Sequence, residues 1–228
     1  MKARFLVAAL QDDDANYRRL LEAANDSYDI KYFKDVDELR KIMKSDNKDR
    51  QIKAIFLPRP CQGRDDWCCE SFLVFIIAKD RSIDFVNAGI MALERFDKVT
   101  SFQDLTSFQQ DNKYLLMLFN QANQKKLGRL SATNDGELAN KLLLYRTILV
   151  KSLSAIPSGG QANNVLLHIF GYFKNNLNRA QKHDFLDILD KYHAGAVPLS
   201  VPMGLLYGFA IAFNHDYLVK QTIFEYFR

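Results

Sequence analysis

The pattern of apolar residues changes near Gln103, and this change limits the folds that the chain can adopt. Before that point, short apolar runs of strand length alternate with segments of helical spacing. After it, strand-like runs disappear and long helical patterns follow one another to residue 228. Strands that alternate with helices predict a parallel sheet covered by helices on both faces. The sequence therefore predicts an α/β domain at 1–103 and an all-α helical domain at 104–228.

The first domain is predicted to contain a doubly wound sheet of about five strands, a size that fits a segment of roughly 100 residues. The predicted strands are 4–10, 28–33, 53–57, 72–78 and 93–99. The predicted helices are 16–24, 36–43 and 84–91, and Asp35 is the expected N-cap of the second.

The second domain is predicted to be built from six helices. They are 104–122, 136–155, 161–177, 179–193, 202–213 and 216–227. Their ends carry recognisable signals: Asn178 is a good N-cap, and Gly195 followed by Pro198 ends a helix. Residues 194–214 carry no charge, but prolines and glycines interrupt them, so the helical part is too short for a bilayer of about 30 Å. A buried core helix is therefore expected there, and no membrane segment.

Cysteine usage favours a reducing compartment, and we expect a cytoplasmic protein. Cys61, Cys68 and Cys69 form an odd, clustered set, which makes a poor disulfide framework. Only six apolar residues follow the first four, so no signal peptide is expected.

Net charge is +4, and the excess of positive charge lies in the second half. Lys and Arg number 18 against 19 acidic residues in 1–104, and 13 against 8 in 105–228. This mild imbalance is far from the dense basic patch of a nucleic-acid-binding protein, so the case for nucleic acid is weak and a solvated surface is expected.

Several stretches of the second half resemble the YbgA-type domain of unknown function. They are 112–117 (Asn-Lys-Tyr-Leu-Leu-Met), 126–130 (Lys-Leu-Gly-Arg-Leu), 164–174, 192–202, Leu205-Leu206, Tyr217 and Gln221. The resemblance implies a helical fold and brings no established activity. Relatives often join this domain to one similar to thiouracil desulfurases, which carry an iron–sulfur cluster. Here the first strand ends Ala-Ala-Leu-Gln without the cysteine of that domain, so desulfurase chemistry is not implied.

Residues 1–104 resemble a response-regulator receiver domain. The resemblance rests on Asp12–Asp14 after the first strand, on Ala88-Gly89, and on Lys98 near the end of the fifth strand. Pro58 stands where a receiver has its phosphoacceptor aspartate, and Ala78 stands where a Ser or Thr would end the fourth strand. The resemblance therefore implies a pseudo-receiver that accepts no phosphoryl group.

A candidate ligand site is predicted in the helical domain. Asn164 and His168 are four residues apart on one helix face, and Tyr172 lies one turn further. With Lys113, Arg129 and Lys174 they could form a polar pocket for an anionic ligand. The alternative is that His168 is a satisfied, half-buried histidine and that the basic side chains are solvated. Because the same helix is apolar around most of its circumference, we expect it at the centre of the domain, with Asn164 and His168 paired inside or lining a cavity.

No metal and no cofactor are expected. A zinc site usually needs four ligands, and no histidine lies near the three cysteines in sequence. Asp12–Asp14 could hold Mg²⁺, but acidic runs at strand ends are usually solvated turns or helix caps. No Gly-rich phosphate loop and no common hydrolase motif is found.

Two functions of different class remain open. The first is a non-catalytic regulatory or adaptor protein, in which the pseudo-receiver docks or dimerises and the helical domain binds a partner protein. The second is an enzyme or ligand-binding protein that acts on a nucleotide- or nucleobase-related anionic substrate through the region of Arg129, His168 and Lys174.

Overall fold

The computed structural model describes residues 5–11, 15–24, 28–35, 37, 38, 41, 52–57, 73–76 and 82–228. The chain forms two compact units. The first comprises Met1–Glu94 and Leu142–Ile156, and the second comprises Arg95–Lys141 and Pro157–Arg228. The domain boundary near Gln103 stays a prediction.

The first unit contains a parallel sheet in which four strands are described. Strand β1 (Phe5–Leu10) is followed by helix α1 (Ala15–Ala24) and by strands β2 (Tyr28–Phe33), β3 (Ile52–Leu57) and β4 (Leu73–Ile76). The strand order is β2-β1-β3-β4, and Val7 of β1 lies opposite Ile30 and Ala54. Doubly wound folds with many different functions share this order, so it does not by itself support the receiver resemblance.

Apolar residues bury both faces of the sheet. Val7, Ala8 and Ala9 are consecutive and fully buried, and consecutive strand residues point to opposite faces. The Tyr17 hydroxyl of α1 donates a hydrogen bond to the carbonyl of Phe56, 2.9 Å away. Tyr28 packs edge-to-face on Phe56, and its hydroxyl donates to the side-chain oxygen of Asn87, which lies in the helix at Ser82–Phe96. Helices therefore pack on the sheet as its near-continuous apolar strands require.

The predicted strand at 93–99 is wrong, because that segment is helical. Helix α2 spans Ser82–Phe96, so the helix predicted at 84–91 continues through the strand segment to a turn at 97–98. Val86, Ile90 and Leu93 are buried at spacings of four and three, which is a helical stripe. Lys98 consequently follows a helix and does not end a strand. The receiver-like sheet of five strands is not observed among the described residues, and Asp12–Asp14, Pro58 and Ala78 lie outside them.

The rest of the described chain is helical. The helices are α3 (Phe102–Asp111), α4 (Lys113–Ser131), α5 (Leu138–Leu153), α6 (Gly159–Phe170), α7 (Arg179–His193), α8 (Ser200–Ala212), α9 (Asp216–Val219) and α10 (Ile223–Phe227). The single helix predicted at 104–122 is corrected to α3 and α4, and α4 is kinked at Asn120. The last predicted helix, 216–227, is two short ones, and the helix predicted to reach 177 ends at Phe170.

Asn112 separates α3 from α4, and its buried side chain holds the break. Its amide nitrogen donates to the carbonyl of Phe108 at 2.8 Å, and its amide oxygen accepts from the Thr222 hydroxyl at 2.8 Å. These two side-chain bonds tie the break to Thr222, so a residue distant in sequence stabilises the helix boundary.

Helix ends confirm several sequence signals. Asn178 is the N-cap of α7, as predicted, and it also forms a capping box with Gln181. Ser158 and Gln161 form a second capping box on α6, and Gly195 takes a positive φ of 74° after α7. Each such cap contributes on the order of 1 kcal/mol.

The second unit is called the helical unit. Its core lies around α6, which packs against both α4 and α8. Residues 115–119 of α4 are buried, as are Val165 and Ile169 of α6 and Met203 and Leu206 of α8. The uncharged α8 is therefore a core helix, as expected. Among the described helices, none combines the length and apolarity needed to cross a bilayer.

Candidate functional site: an aromatic cluster

Four aromatic side chains from three separate parts of the chain meet at the surface of the helical unit. Tyr114 lies at the start of α4, Tyr172 in the turn after α6, and His215 and Tyr217 at the start of α9; together they are called the aromatic cluster. The Tyr172 ring centroid lies 5.0 Å from that of His215 and 6.4 Å from those of Tyr114 and Tyr217. Tyr172 is therefore in ring contact with the other three members.

A Schellman motif at the end of α8 positions His215. Asn214 adopts a positive φ of 52°, a conformation that asparagine tolerates better than most residues. The N–H of His215 donates to the carbonyl of Ala210 at 2.8 Å, and that of Asn214 donates to Ile211 at 3.0 Å. The turn reverses the chain and places the imidazole edge-to-face against Tyr172.

The buried side chain of Gln221 positions Tyr114. Its oxygen accepts from the N–H of Tyr114 at 3.3 Å, and its nitrogen donates to the carbonyl of Gln110 at 2.8 Å. The N–H of Thr222 also donates to the carbonyl of Asp111 at 2.9 Å. One short segment near residue 222 therefore holds both the end of α3 and the start of α4.

Tyr172 is anchored although it is 40% exposed. The neighbouring Phe173 is buried and contacts the rings of Phe209 and Phe213, which fixes the turn. The Tyr114 hydroxyl donates to the Tyr172 hydroxyl at 2.9 Å. The exposed ring is thus held in one orientation by packing and by a hydrogen bond.

Electrostatics keep two of the phenols protonated. Burial raises the pKa of Tyr114 far above its ordinary value of 10, and the hydrogen bond to Tyr172 raises it further. Burial and the nearby Tyr172 and Asp111 raise the pKa of Tyr217 to about 12. Both phenols are neutral at physiological pH, and the Tyr114 hydroxyl donates to Tyr172.

Two of the predicted site residues lie at the cluster. Tyr172 belongs to it, and the Lys113 ammonium lies 5.3 Å from the centroid of the Tyr114 ring. Arg129 is exposed and lies on the same helix as Lys113, sixteen residues further on and beyond the kink at Asn120.

The other predicted site residues lie on or just beyond α6. Asn164 is half-buried, and its amide nitrogen lies 3.3 Å from the side-chain oxygen of Gln121, within hydrogen-bonding distance. His168 and Lys174 are exposed. The expectation that His168 is held inside the domain is wrong, because α6 buries only a stripe of Ala162, Val165, Leu166 and Ile169 and exposes the opposite face. The role of these residues in ligand binding stays a prediction.

Sequence reasoning missed Tyr114, His215 and Tyr217 as site residues. Tyr114 lies 58 residues before Tyr172, and His215 lies 43 residues after it, so no local spacing connects the three segments. Tyr114 and Tyr217 do lie within stretches that resemble the YbgA-type domain, and this is the signal that could have found them.

Among the described residues, no group of three or more His, Cys, Asp or Glu side chains is placed to hold a metal ion. Cys61, Cys68 and Cys69 lie outside those residues, as does the acidic run at 12–14. The expectation that neither set binds metal therefore stays a prediction.

Comparison with known proteins places the cluster within a recognised segment. Residues 113–227 match the family described as "Protein of unknown function (DUF1722)". The "Uncharacterized protein YbgA" of Escherichia coli (strain K12) is 25% identical over 126 residues, which are 53% of this chain and 73% of that protein. No solved structure matches the chain. The predicted resemblance of the second half is confirmed, and Lys113 and all four members of the aromatic cluster lie within the matched segment. The chain belongs to the DUF1722 family.

Proposed function

We propose that the chain is a ligand-binding protein whose aromatic cluster takes a small anionic molecule with a planar ring, of the nucleotide or nucleobase class. One observation carries the proposal: Tyr172 is exposed at its ring, yet it is fixed by the Tyr114 hydrogen bond and by the His215 and Tyr217 rings. Scattered exposed aromatic residues are ordinary, but they are seldom held on several sides. A ring held in this way loses little conformational entropy when a ligand stacks on it.

The chemistry around Tyr172 supports this ligand class. Stacking of a base on an aromatic side chain contributes about 1–3 kcal/mol. The half-buried Lys113 supplies a cation next to the Tyr114 ring, where it can pair with a phosphate or carboxylate. The protonated phenol of Tyr217 offers a further hydrogen-bond donor to ring oxygens or nitrogens. Because the pKa values of Tyr114 and Tyr217 are raised, these groups favour binding over proton abstraction.

Isothermal titration calorimetry of the full chain with uridine 5′-monophosphate tests this proposal, with ribose 5-phosphate as a control that lacks the planar ring. We expect the nucleotide to bind more tightly than the sugar phosphate. Tyr172→Ala should weaken nucleotide binding by roughly 5- to 150-fold, which corresponds to the loss of one stacking contact. Tyr32→Ala is the matched control, since Tyr32 is 43% exposed and lies on β2.

Lys113→Gln should weaken binding of the phosphorylated ligand more than binding of uridine, whereas Lys126→Gln on the exposed part of α4 should leave both unchanged. Equal affinity for ribose 5-phosphate and the nucleotide would contradict the proposal. So would an unchanged affinity in Tyr172→Ala.

A regulatory or adaptor function is the second candidate. Leu143 and Leu144 are adjacent on α5 and are 51% and 50% exposed. The adaptor hypothesis first relied on a receiver-like sheet for docking or dimerisation. The exposed pair of leucines on α5 is the surface that supports it here. Self-association through this surface predicts a dimer in sedimentation equilibrium that the double variant Leu143→Ser, Leu144→Ser converts to a monomer. A wild-type chain that stays monomeric at every concentration would count against it.

A further inference from the structure

A cleft of about 250 Å³ lies along α3 in the helical unit. One face of α3 forms its wall, because Asp104, Ser107, Phe108 and Asp111 follow one another at spacings of three, one and three residues. The remaining lining residues are Arg95, Lys98, Val99, Asn112 and Thr222. The cleft does not include Tyr172 or any other member of the aromatic cluster, so it is a separate candidate site.

Much of the polar lining is already paired. The Arg95 guanidinium forms an ion pair with Glu225, with an Nη2–Oε2 distance of 2.5 Å. The Asp104 carboxylate accepts from the N–H and the hydroxyl of Thr100, both at 3.1 Å. Asn112 and Thr222 bond to each other. These residues give the cleft its shape, and their hydrogen-bonding groups are largely used.

Three polar groups of the lining, one cationic, one neutral and one anionic, remain available to a ligand. Within the part of the chain that the structure describes, the Lys98 ammonium, the Ser107 hydroxyl and the Asp111 carboxylate make no hydrogen bond and no close ion pair. Asp111 is half-buried and ends α3, where the helix dipole also disfavours a negative charge. Burial accordingly raises the pKa of Asp111, against the opposing charges of Lys220 and Arg95. A partly desolvated carboxylate of this kind gains most from a charged hydrogen-bond donor.

The charges of the lining decide the class of ligand. The lining contains two cations, Arg95 and Lys98, and two anions, Asp104 and Asp111, so it is neutral overall. A purely anionic ligand would be repelled at Asp111, and a purely cationic one at Lys98. The apolar lining residues are Phe108 and Val99, and they favour a ligand with an apolar part.

We infer that this cleft binds a small zwitterion with an apolar side chain, of the amino-acid class, with its ammonium at Asp111 and its carboxylate at Lys98 and Ser107. The inference is independent of the function proposed for the aromatic cluster. It assigns the cleft a ligand that carries both charges and an apolar group.

Leucine is the probe for this site, and isothermal titration calorimetry of the full chain is the measurement. We expect leucine to bind with a Kd of about 1 mM or below, so that binding approaches saturation at about 10 mM. Leucinamide lacks the carboxylate and 4-methylpentanoate lacks the ammonium, so each should bind about 10- to 100-fold more weakly. Absence of leucine binding would overturn the inference, and so would 4-methylpentanoate binding as tightly as leucine.

Variants locate the binding. Asp111→Asn and Lys98→Gln should each weaken leucine binding about 10-fold or more, while the exposed controls Asp184→Asn and Lys126→Gln should leave it unchanged. Asp111→Asn keeps the shape of the side chain and removes an unfavourable buried charge, so its melting temperature should not fall. Unchanged leucine binding in Asp111→Asn would place the ligand elsewhere and overturn the assignment. Tyr172→Ala should not affect leucine binding, which separates this test from that of the proposed function.

Discussion

Replacing Gln221 with leucine should destabilise the helical unit strongly, although the two side chains have similar volumes. The Gln221 side chain is 1% exposed and reaches two helix ends at once. Its oxygen accepts from the N–H of Tyr114 in the first turn of α4, and its nitrogen donates to the carbonyl of Gln110 in the last turn of α3. Both backbone groups lie at helix ends, where the hydrogen bonds of a continuous helix are interrupted.

The magnitude follows from these two groups. Leucine fills the space but pairs neither group, so the buried N–H of Tyr114 loses its partner, and the carbonyl of Gln110 keeps only its contact with the N–H of Asn112. An unpaired buried donor costs about 1–3 kcal/mol and the loss of a further hydrogen bond costs about 0.5–1.5 kcal/mol, so we expect a loss of roughly 3 kcal/mol in the free energy of unfolding. For a chain of 150–250 residues, about 1 kcal/mol shifts the melting temperature by about 2–4 °C, so a fall of roughly 6–12 °C is expected.

Thermal unfolding followed by far-UV circular dichroism measures this fall. Gln103→Leu is the matched control, because Gln103 lies exposed on α3 and its replacement should change the free energy of unfolding by no more than about 0.5 kcal/mol. Thr222→Val removes the neighbouring hydroxyl bond to Asn112, and its effect should not add fully to that of Gln221→Leu, since both act on one junction. A Gln221→Leu chain that melts with the wild type would refute this account of the junction.

Four further outcomes are expected. The free energy of unfolding of His168→Ala should lie within about 1 kcal/mol of the wild-type value, because His168 is exposed. A large loss of stability would contradict this placement of His168. Because burial raises the pKa of Asp111 above its ordinary value of 3.8, ionisation of this carboxylate destabilises the fold at higher pH. Asp111→Asn should therefore have a higher melting temperature than the wild type at neutral pH. This difference should disappear as the pH falls through the raised pKa of Asp111 towards 3.8. A difference in melting temperature that does not change with pH would contradict the raised pKa. In an ultraviolet titration, the difference between wild type and Tyr217→Phe should develop near pH 12 and not near pH 10. Limited proteolysis should release a helical fragment that begins between about residues 100 and 112, and cleavage confined to other regions would contradict the predicted boundary.

Local signals predicted much of the helical fold. Asn178 and Gly195 mark the ends of α7 because capping and positive φ depend on one or two residues. The prediction of a strand at 93–99 was wrong, because the apolar residues Leu93, Phe96 and Val99 recur every three residues, which is closer to helical than to strand spacing. Burial of Val86, Ile90 and Leu93 on one stripe decides for the helix, and this packing depends on residues beyond the segment.

The break at Asn112 and the complete aromatic cluster could not be predicted from local patterns, because both depend on contacts between residues that are distant in sequence. The bond from Thr222 to Asn112 spans 110 residues, so nothing near Asn112 in sequence announces that the helix must stop there. Lys113 and Tyr172 were found because basic and aromatic residues stand out in a family-like stretch. His215 reaches Tyr172 only through the reversal at Asn214, and a pattern of spacings does not reveal such a contact.

The tie between the α3–α4 junction and residues 221–222 has a consequence for synthesis on the ribosome. The junction is translated more than a hundred residues before its partners, since Tyr114 and Gln221 are 107 positions apart. At about 5–20 residues per second, the nascent chain carries this junction for roughly 5–20 s without the groups that complete it. During that interval the N–H of Tyr114 can bond only to water, or to the carbonyl of Gln110 if α3 and α4 continue as one straight helix. Completion of the junction is therefore a late event in biogenesis, timed by the emergence of residues 221 and 222.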